Sequence, residues 1–278
     1  MEAQQLSPRS RAPEEVPNRA ITIIVLTHNR VHLLPKCVEN VVLRTSSATR
    51  EIVIWDNAST DGTAEYLDTL DDPRIRVVHS DKNIGFNAYA EAVAMTTGDY
   101  LVELDDDVVD APPEWDLMLR EAFERLPKIG FLAADVLDDP LDEASHLRHH
   151  VRAHEYTLVE ENGVRLLRGP AGGACAITSR ELNQRVGGFR KDMTKVFWLE
   201  DQAYIQDIIR IGYEAAVLAD LVVHHTGGPH YTVASPEKDQ FWADYWKRRE
   251  RRLAIKKLVF KVPFFARLNG RFAWFQAP

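Results

Sequence analysis

Residues 97–108 read TGDYLVELDDDV, and this stretch decides how the fold is interpreted. The apolar run Tyr100–Leu104 follows a Thr-Gly-Asp turn sequence, which predicts a short buried strand. The two-residue period of a strand puts Asp105 and Asp107 on the same side of the chain. Two carboxylates at a strand end, where open α/β sheets bind ligands, favour a Mg²⁺ or Mn²⁺ site. The alternative is a solvated acidic turn.

The composition is that of a soluble globular protein. The 278 residues are 45% apolar and 27% charged, enough for one large domain or two small ones. No uncharged apolar stretch reaches eighteen residues, so we expect no membrane span. Residues 1–19 are polar and proline-rich, which predicts a disordered lead-in and not a signal peptide. Cys37 and Cys175 form no disulfide framework or metal pattern, which favours a reducing cytoplasm.

The charge is distributed unevenly along the chain. The formal net charge is −8, yet residues 247–271 hold ten Lys or Arg against the single acid Glu250. That segment is therefore +9 and the remainder −17. An acidic body lacks the positive surface that neutralises phosphates, so we expect no nucleic-acid partner.

The basic C-terminal extension, residues 236–278, mixes its cations with aromatic residues. Such a mixture suits the surface of an anionic membrane, and one hypothesis is peripheral docking at the inner face of the plasma membrane. The alternatives are a helix that packs back on the acidic body and an arm of a homodimer.

Strand-like and helix-like patterns alternate through the first two thirds of the chain. Strands are predicted at 21–26, 51–55, 75–79, 100–104, 129–134 and 215–223, and helices at 33–43, 64–70, 86–95, 114–125 and 201–211. This alternation predicts a Rossmann-like parallel sheet with right-handed crossovers. A GxGxxG sequence is missing after the first strand, so a dinucleotide cofactor is not expected. Residues 138–170 are predicted to be irregular and residues 169–173 to be flexible.

Polar clusters follow several of the predicted strands, at 27–30, 56–63, 105–107 and 224–225. The carboxyl ends of strands in an open α/β sheet share one crevice. The clusters are therefore expected to meet in one pocket.

Six segments carry a resemblance to a known family: IIVLTHNR (23–30), IVIWDNASTDGT (52–63), NIGFNAYAEA (83–92), LVELDDDV (101–108), FWLEDQAYIQDIIRIGY (197–213) and HHTGG (224–228). In this order and spacing the chain resembles the inverting glycosyltransferases of the GT-A fold, family 2. The resemblance implies an α/β GT-A fold whose central, mostly parallel sheet is flanked by helices, with a C-terminal helical extension. The domain would span 20–235, with a nucleotide-sugar half at about 20–110 and an acceptor half at about 111–235.

The resemblance also implies the residues that bind the sugar donor. They are Thr27, Asn29, Arg30, Asp56, Asn83 and Gly85, with Asp105 and Asp106 from the aspartate triplet. Asp56 has the chemistry to accept a hydrogen bond from a uracil or thymine N–H, which favours UDP or dTDP over GDP. Its alternative role is an Asx-turn. Asp61 is expected to cap the following helix.

The triplet is similar to the DXD element of the family, which implies a divalent metal, Mn²⁺ or Mg²⁺. Asp107 is the main metal ligand by this resemblance, and Asp105 contacts ribose or metal. His224 or His225 supplies an imidazole, and strand alternation allows only one of the two to face the metal. By the same alternation Asp106 is expected to point away and to be replaceable.

The prediction of the acceptor-binding side of the site depends on the segment around Glu200 and Asp201. Acidic residues at a helix start commonly just complement the helix dipole. The resemblance instead makes Asp201 the general base that deprotonates the acceptor hydroxyl. Gly172, Gly173, Trp198 and Glu200 are the implied acceptor-binding residues.

The implied function is transfer of a hexose or deoxyhexose from a nucleoside-diphosphate sugar to a saccharide, glycolipid or small-molecule hydroxyl, as in polysaccharide, glycolipid or natural-product glycoside synthesis. Two alternatives stay open. The sequence DxDxV starting at Asp105 also fits the nucleophile motif of haloacid-dehalogenase-like phosphatases. A non-catalytic nucleotide-sugar-binding protein on the same fold is the other.

Overall fold

The computed structural model describes residues 19–138, 156–190 and 200–226, together with Lys247 and Arg251. Its strands are β1 (Ile21–Thr27), β2 (Thr49–Asp56), β3 (Ile75–His79), β4 (Tyr100–Asp105), β5 (Val108–Asp110), β6 (Ile129–Asp138), β7 (Thr157–Glu161), β8 (Val164–Arg168), β9 (Cys175–Ser179) and β10 (Glu214–His225). Its helices are α1 (Leu34–Arg44), α2 (Thr63–Leu67), α3 (Asn87–Ala94), α4 (Trp115–Glu124), α5 (Arg180–Arg185) and α6 (Glu200–Arg210).

The first four strands pair in parallel in the order β3-β2-β1-β4. The apolar runs of β1, β2 and β4 are buried because helices pack against the sheet, as continuous Ile, Val and Leu runs predict, whereas the edge strand β3 is only partly buried. The register sets Thr27 beside Asp56 and Leu26 beside Asp105. The polar residues that follow β1, β2 and β4 therefore lie at one edge of the sheet, as the sequence predicts.

The second half of the sheet is mixed. Strand β9 lies between β4 and β6 and is antiparallel to both, while β6 and β10 are parallel. The sheet continues β10-β8-β7 through antiparallel pairs, and β5 pairs with β10. The α/β fold with a helix-flanked central sheet is confirmed, with mixed pairing beyond β4.

A β-hairpin, β7–β8, occupies part of the segment that the sequence predicts to be irregular. The prediction is wrong for residues 157–168. Asn162 and Gly163 form the turn, with φ of +50° and +71°. An Asn-Gly pair between two short runs is a strong hairpin signal, because both residues tolerate the positive φ that a tight turn requires.

Several predictions concern residues outside the described ranges. The lead-in at 1–18 and, apart from Lys247 and Arg251, the extension at 236–278 lie there. The chain forms two compact units, Met1–Gly228 and Pro229–Pro278, and the sheet belongs to the first. Among the described helices, none has the length and hydropathy to cross a membrane. The predicted domain boundaries stay predictions.

Candidate active site

The loops after β1 and β2 are hydrogen-bonded to each other. Asn29 has a left-handed backbone with φ of +54°. Its N–H donates to Oγ of Ser59 (2.9 Å), and its Oδ1 accepts the N–H of Thr60 (2.7 Å). The N–H of Arg30 donates to Oγ1 of Thr63 (3.0 Å). These bonds between two loops fix one wall of the crevice at the end of the parallel strands.

Asp56 is buried at the end of β2 and is engaged on both oxygens. Oδ1 accepts the N–H of Ser59 (2.9 Å), three residues along the chain and so one residue beyond an Asx-turn, and Oδ2 lies 3.0 Å from Nδ1 of His79. Nε2 of His79 lies 3.2 Å from Oδ1 of Asp68. The hydrogen bond to Asp56 raises the pKa of His79. A carboxylate offers about four lone-pair sites, so Asp56 keeps acceptor capacity for a ligand.

Asn57 organises the segment that contains Asn83 and Gly85. Its Nδ2 donates to the carbonyl of Gly85 (3.2 Å), and its Oδ1 accepts the N–H of Ile84 (3.3 Å). Oδ1 of Asn83 accepts the N–H of Gly85 (2.8 Å), whose φ is +57°. Asn83 and Gly85 thus form a turn beside Asp56. The sequence-based site missed Asn57 and His79, because only the strand pairing brings them to this turn.

Asp105, Asp107 and His225 converge at the end of β4. One ligand atom from each lies within 4.8 Å of the others. Nε2 of His225 is 2.8 Å from Oδ1 of Asp107 and 3.6 Å from Oδ2 of Asp105. Carboxylate oxygens with one imidazole nitrogen fit Mn²⁺ or Mg²⁺ by their chemistry.

The structure brings His225, and not His224, into this cluster. In the pairing of β5 with β10, His225 lies opposite Val108 and His224 opposite Asp110. The N–H of Thr226 then donates to the carbonyl of Asp107 (2.9 Å). This pairing places His225 beside Asp107. Because it joins segments that are far apart in the sequence, the sequence alone did not decide between the two histidines.

Asp106 lies outside the cluster but is buried, 8% exposed, and its Oδ1 is 3.9 Å from Nε of Arg30. Asp106 is thus buried beside Arg30, and the expectation that it points away from the site stays a prediction. Burial raises the pKa of Asp106 to about 7, against the opposing charge of Arg30. The prediction that Asp106 is replaceable stays untested, and its burial beside an arginine argues against it.

The pKa of Asp107 shifts in the opposite direction from that of Asp106. Burial favours its neutral form, but the charge and hydrogen bond of His225, with the charge of Arg30, outweigh burial and lower the pKa of Asp107. Nη2 of Arg30 lies 3.8 Å from Oδ2 of Asp107. The neighbouring His225 and Arg30 therefore both favour the ionised form of Asp107.

Asp201 starts helix α6 and is held by the loop that precedes β9. Its Oδ2 accepts the N–H of Gly173 (3.0 Å), and its Oδ1 accepts the N–H of Gln202 (2.6 Å). The side chain of Gln202 donates to the carbonyl of Ala171 (2.9 Å). Residues 169–173, predicted to be flexible, are thus tied to the start of α6 through Ala171 and Gly173.

The remaining acceptor-side predictions are only partly covered. Trp198 lies outside the described residues, and Glu200 is described as the first residue of α6 without its side chain. Gly172 is half-buried beside Gly173.

A cavity of about 770 Å³ opens elsewhere on the molecule. Its described lining comes from α3, the segment 183–190 and the last turns of α6, and includes none of the predicted site residues. Large cavities are the default candidates for ligand sites. Here the chemistry of the strand ends, and not cavity size, locates the candidate site.

Comparison with known proteins gives one family match. The family described as Glycosyl transferase family 2 matches residues 22–187. The colanic acid biosynthesis glycosyl transferase WcaA of Escherichia coli K12 is 34% identical over 93 residues, 32% of this chain and 33% of that protein. The succinoglycan biosynthesis protein ExoO of Rhizobium meliloti is 29% identical over 129 residues, 46% of this chain and 35% of that protein. The matches span about a third of each relative's length.

Solved structures share the fold. The mannosyltransferase PcManGT of Pyrobaculum calidifontis, in complex with GDP-Man and Mn²⁺, has 24% identity and a TM-score of 0.52 over 78% of this chain and 61% of its own. GalNAc-T7 with UDP, GalNAc and Mn²⁺ has 17% identity and a TM-score of 0.59 over 75% of this chain and 44% of its own. Staphylococcus aureus TarS, residues 1–349, has 16% identity and a TM-score of 0.55 over 74% of this chain and 60% of its own.

Proposed function

This chain belongs to glycosyl transferase family 2, and we propose that it transfers a sugar from a nucleoside-diphosphate sugar to an acceptor hydroxyl, with inversion at the anomeric carbon. The observation that carries the proposal is the connection between the two predicted centres. The N–H of Asp105 donates to the carbonyl of Ala174 (2.9 Å), and the N–H of the preceding Gly173 donates to Asp201. One short backbone segment therefore links the aspartate cluster to the candidate base.

Asp201 is the proposed general base. Two backbone N–H groups, those of Gly173 and Gln202, hold its carboxylate in the first turn of α6. Removal of the hydroxyl proton by Asp201 activates the oxygen for direct in-line attack, which inverts the anomeric carbon. No second nucleophilic carboxylate is required, unlike retaining sugar chemistry.

Asp105, Asp107 and His225 are the proposed ligands of a divalent metal. When bound, such a cation supplies positive charge to the diphosphate of the leaving nucleotide. The Mn²⁺ complexes of the structural neighbours support this choice of cofactor. Asp106 and Arg30 shape the wall next to these ligands, where the predicted donor-binding residues converge.

Asp56 is proposed to bind the nucleobase. Hydrogen bonds from Ser59 and the neighbouring His79 orient the buried carboxylate, which then accepts the N–H of a pyrimidine. We propose UDP or dTDP as the donor nucleotide in preference to GDP, with a hexosyl or deoxyhexosyl group. Neighbours are bound to either GDP-Man or UDP, so the fold is compatible with both bases.

The proposed acceptor is a saccharide or glycolipid of a surface polysaccharide. Support comes from the relatives, which are named for colanic acid and succinoglycan biosynthesis. A cytoplasmic enzyme that reaches a membrane-bound acceptor through its basic extension fits this role, with dimerisation through that extension as the alternative. The phosphatase alternative is disfavoured. Its DxDxV motif normally ends the first strand of the core, whereas three strands precede β4 here and lie within the family match.

A donor screen tests the proposal. UDP-, dTDP- and GDP-sugars are added to the full chain with and without Mn²⁺, and the unfolding temperature is recorded. A donor at a concentration of about 100 times its Kd adds about 2.7 kcal/mol to the free energy of unfolding, which raises the unfolding temperature clearly. The expected result is an Mn²⁺-dependent shift with one donor class, followed by slow release of its nucleoside diphosphate. Stabilisation by none of the donors would overturn the proposal.

A further inference from the structure

We propose that Glu103 is a positioning residue, which holds the backbone at Gly173 and through it the carboxylate of Asp201. The role in sugar transfer rests on the proposed function, whereas the structural linkage does not. Glu103 lies in the middle of β4, two residues before Asp105, and strand alternation places both on the same side of the sheet. Its side chain is only 5% exposed.

The carboxylate of Glu103 packs against the Cα of Gly173. A Cβ atom built on Gly173 would lie 2.6 Å from Oε1, 2.7 Å from Cδ and 2.9 Å from Oε2 of Glu103. These separations are shorter than any ordinary contact, so Glu103 fills the space that a side chain at 173 would need. The φ of Gly173 is outside the left-handed range. A side chain at 173 would therefore have to displace the buried carboxylate of Glu103, whereas the backbone conformation itself does not call for glycine.

The position of Gly173 affects the candidate base through a hydrogen bond. Its N–H donates to Oδ2 of Asp201 (3.0 Å), and the carbonyl of Ala171 accepts the side-chain amide of Gln202 (2.9 Å). A displacement of residue 173 therefore moves a hydrogen-bond donor of Asp201. Since a reacting group must be held within about 0.5 Å of its productive position, a small shift at Gly173 lowers the rate of chemistry.

The charge of Glu103 also acts on Tyr204 of helix α6, the helix that carries Asp201 in its first turn. Burial raises the pKa of Tyr204 on that helix, a hydrogen bond between Tyr204 and Thr178 opposes the shift, and the charge of Glu103 raises the pKa further. A buried carboxylate is costly compared with an apolar side chain of the same size. Its position between β4, the 171–173 loop and α6 assigns it a role that an apolar residue does not provide.

The linkage is tested first without any turnover assay. Hydrogen–deuterium exchange of the Gly173 amide is followed by NMR in the full chain, for the native protein and for Glu103→Ala, Glu103→Gln and Glu51→Ala. We expect Glu103→Ala to speed exchange at Gly173 about tenfold, since a constrained hydrogen bond is loosened. Glu103→Gln keeps the shape and restores slow exchange. Glu51→Ala, which removes a carboxylate from β2, leaves Gly173 unchanged and serves as the matched control.

A double-mutant cycle then tests the role in catalysis. Gly173→Ala alone forces a methyl group against Glu103, and we expect kcat to fall about a hundredfold while the Kd of the donor nucleotide is unchanged. In a Glu103→Ala background the methyl group has room, so the same Gly173→Ala change costs less than about fivefold in kcat. A structural role that only stabilises the fold would not produce this coupling.

The outcomes separate the two hypotheses. Unchanged Gly173 exchange in folded Glu103→Ala, or additive losses in the cycle, would overturn the positioning role. If Glu103→Ala does not fold, the exchange experiment compares Gly173→Ala with the native protein. Equally slow exchange of the amide at position 173 in both proteins would then overturn the positioning role. Absence of turnover in the native protein contradicts the proposed function, while the exchange result stands on its own.

Discussion

The parallel half of the sheet, β1 to β4, carries most of the proposed donor-binding residues, and the mixed half, β5 to β10, lies with α6 and the proposed general base; we call them the donor half and the acceptor half, and they build their parts of the candidate site differently. In the donor half, parallel strands end together, and the last residues of the strands, such as Asp56 and Asp105, contribute to the candidate site. In the acceptor half, Asp201 depends on a hydrogen bond from Gly173, and His225 on the pairing of β5 with β10. Local sequence positions the first set, and long-range packing positions the second.

The largest expected effect is on the acceptor side. We predict that Asp201→Asn lowers kcat about 10²- to 10⁴-fold, because the amide cannot remove a proton. The amide oxygen still accepts the N–H of Gly173, so the loop and the donor site are preserved. Nucleoside-diphosphate release measures turnover, and Mn²⁺-dependent thermal stabilisation measures donor binding. Equal losses of turnover and of donor binding would mean that the two halves do not act separately.

The reverse pattern is expected on the donor side. Asp107→Ala removes a buried carboxylate beside His225, and we predict that metal-dependent donor affinity falls about a hundredfold. Chelation of divalent ions should affect the native protein in the same way. Titration of the donor by calorimetry with and without Mn²⁺ provides the measurement. A variant that keeps metal-dependent binding would remove Asp107 from the ligand set.

A third prediction concerns the contact between the halves. Asp116 on α4 is fully buried and accepts bonds from the N–H and Oγ of Ser46 (both 2.8 Å) and from Oγ1 of Thr49 (2.6 Å). Asp116→Ala leaves these donors without their acceptor, and we predict a loss of about 3 kcal/mol in the free energy of unfolding by urea.

The matched control is Asp220→Ala, which removes an exposed ion pair with Arg165 and should cost under about 1 kcal/mol. A similar cost for both substitutions would show that the two halves are not joined through Asp116.

The smallest predicted effect is a pH dependence in the donor half. The pKa of His79 is raised from 6.5 by its hydrogen bond to Asp56 and by Asp68. Folding therefore favours the protonated imidazole, and its stabilising contribution is complete below pH 6.5 and is lost as pH rises through the raised pKa. The imidazole is 40% exposed, so solvent screening keeps the effect modest.

His79→Gln removes that dependence. Urea unfolding of the native protein and of His79→Gln, repeated from about pH 6 to pH 9, compares the slopes of stability with pH. The native protein should lose more stability than the variant over this interval. Parallel pH curves for the two proteins would contradict a raised pKa at His79.

The sequence predicted the parallel half of the fold closely and the mixed half less well. Strand β3 has the predicted bounds, since a short β-branched run between turn residues leaves little choice. The hairpin at Asn162-Gly163 carried a local signal that the sequence-based prediction did not use. The antiparallel position of β9 between β4 and β6 had no local signal, because strand order depends on contacts between distant segments.

For the candidate site, the sequence by itself indicated which side chains have the chemistry that the proposed function needs. The carboxylates at 56, 105, 107 and 201 follow strands or begin a helix, and strand period alone put Asp105 and Asp107 on one side. Only the tertiary structure decided that His225 faces them and not His224, that Asp106 is buried against Arg30, and that His79 and Gly173 hold Asp56 and Asp201. The physical reason is that alternation and strand ends are properties of neighbouring residues, whereas these contacts join segments that meet only when the sheet is complete.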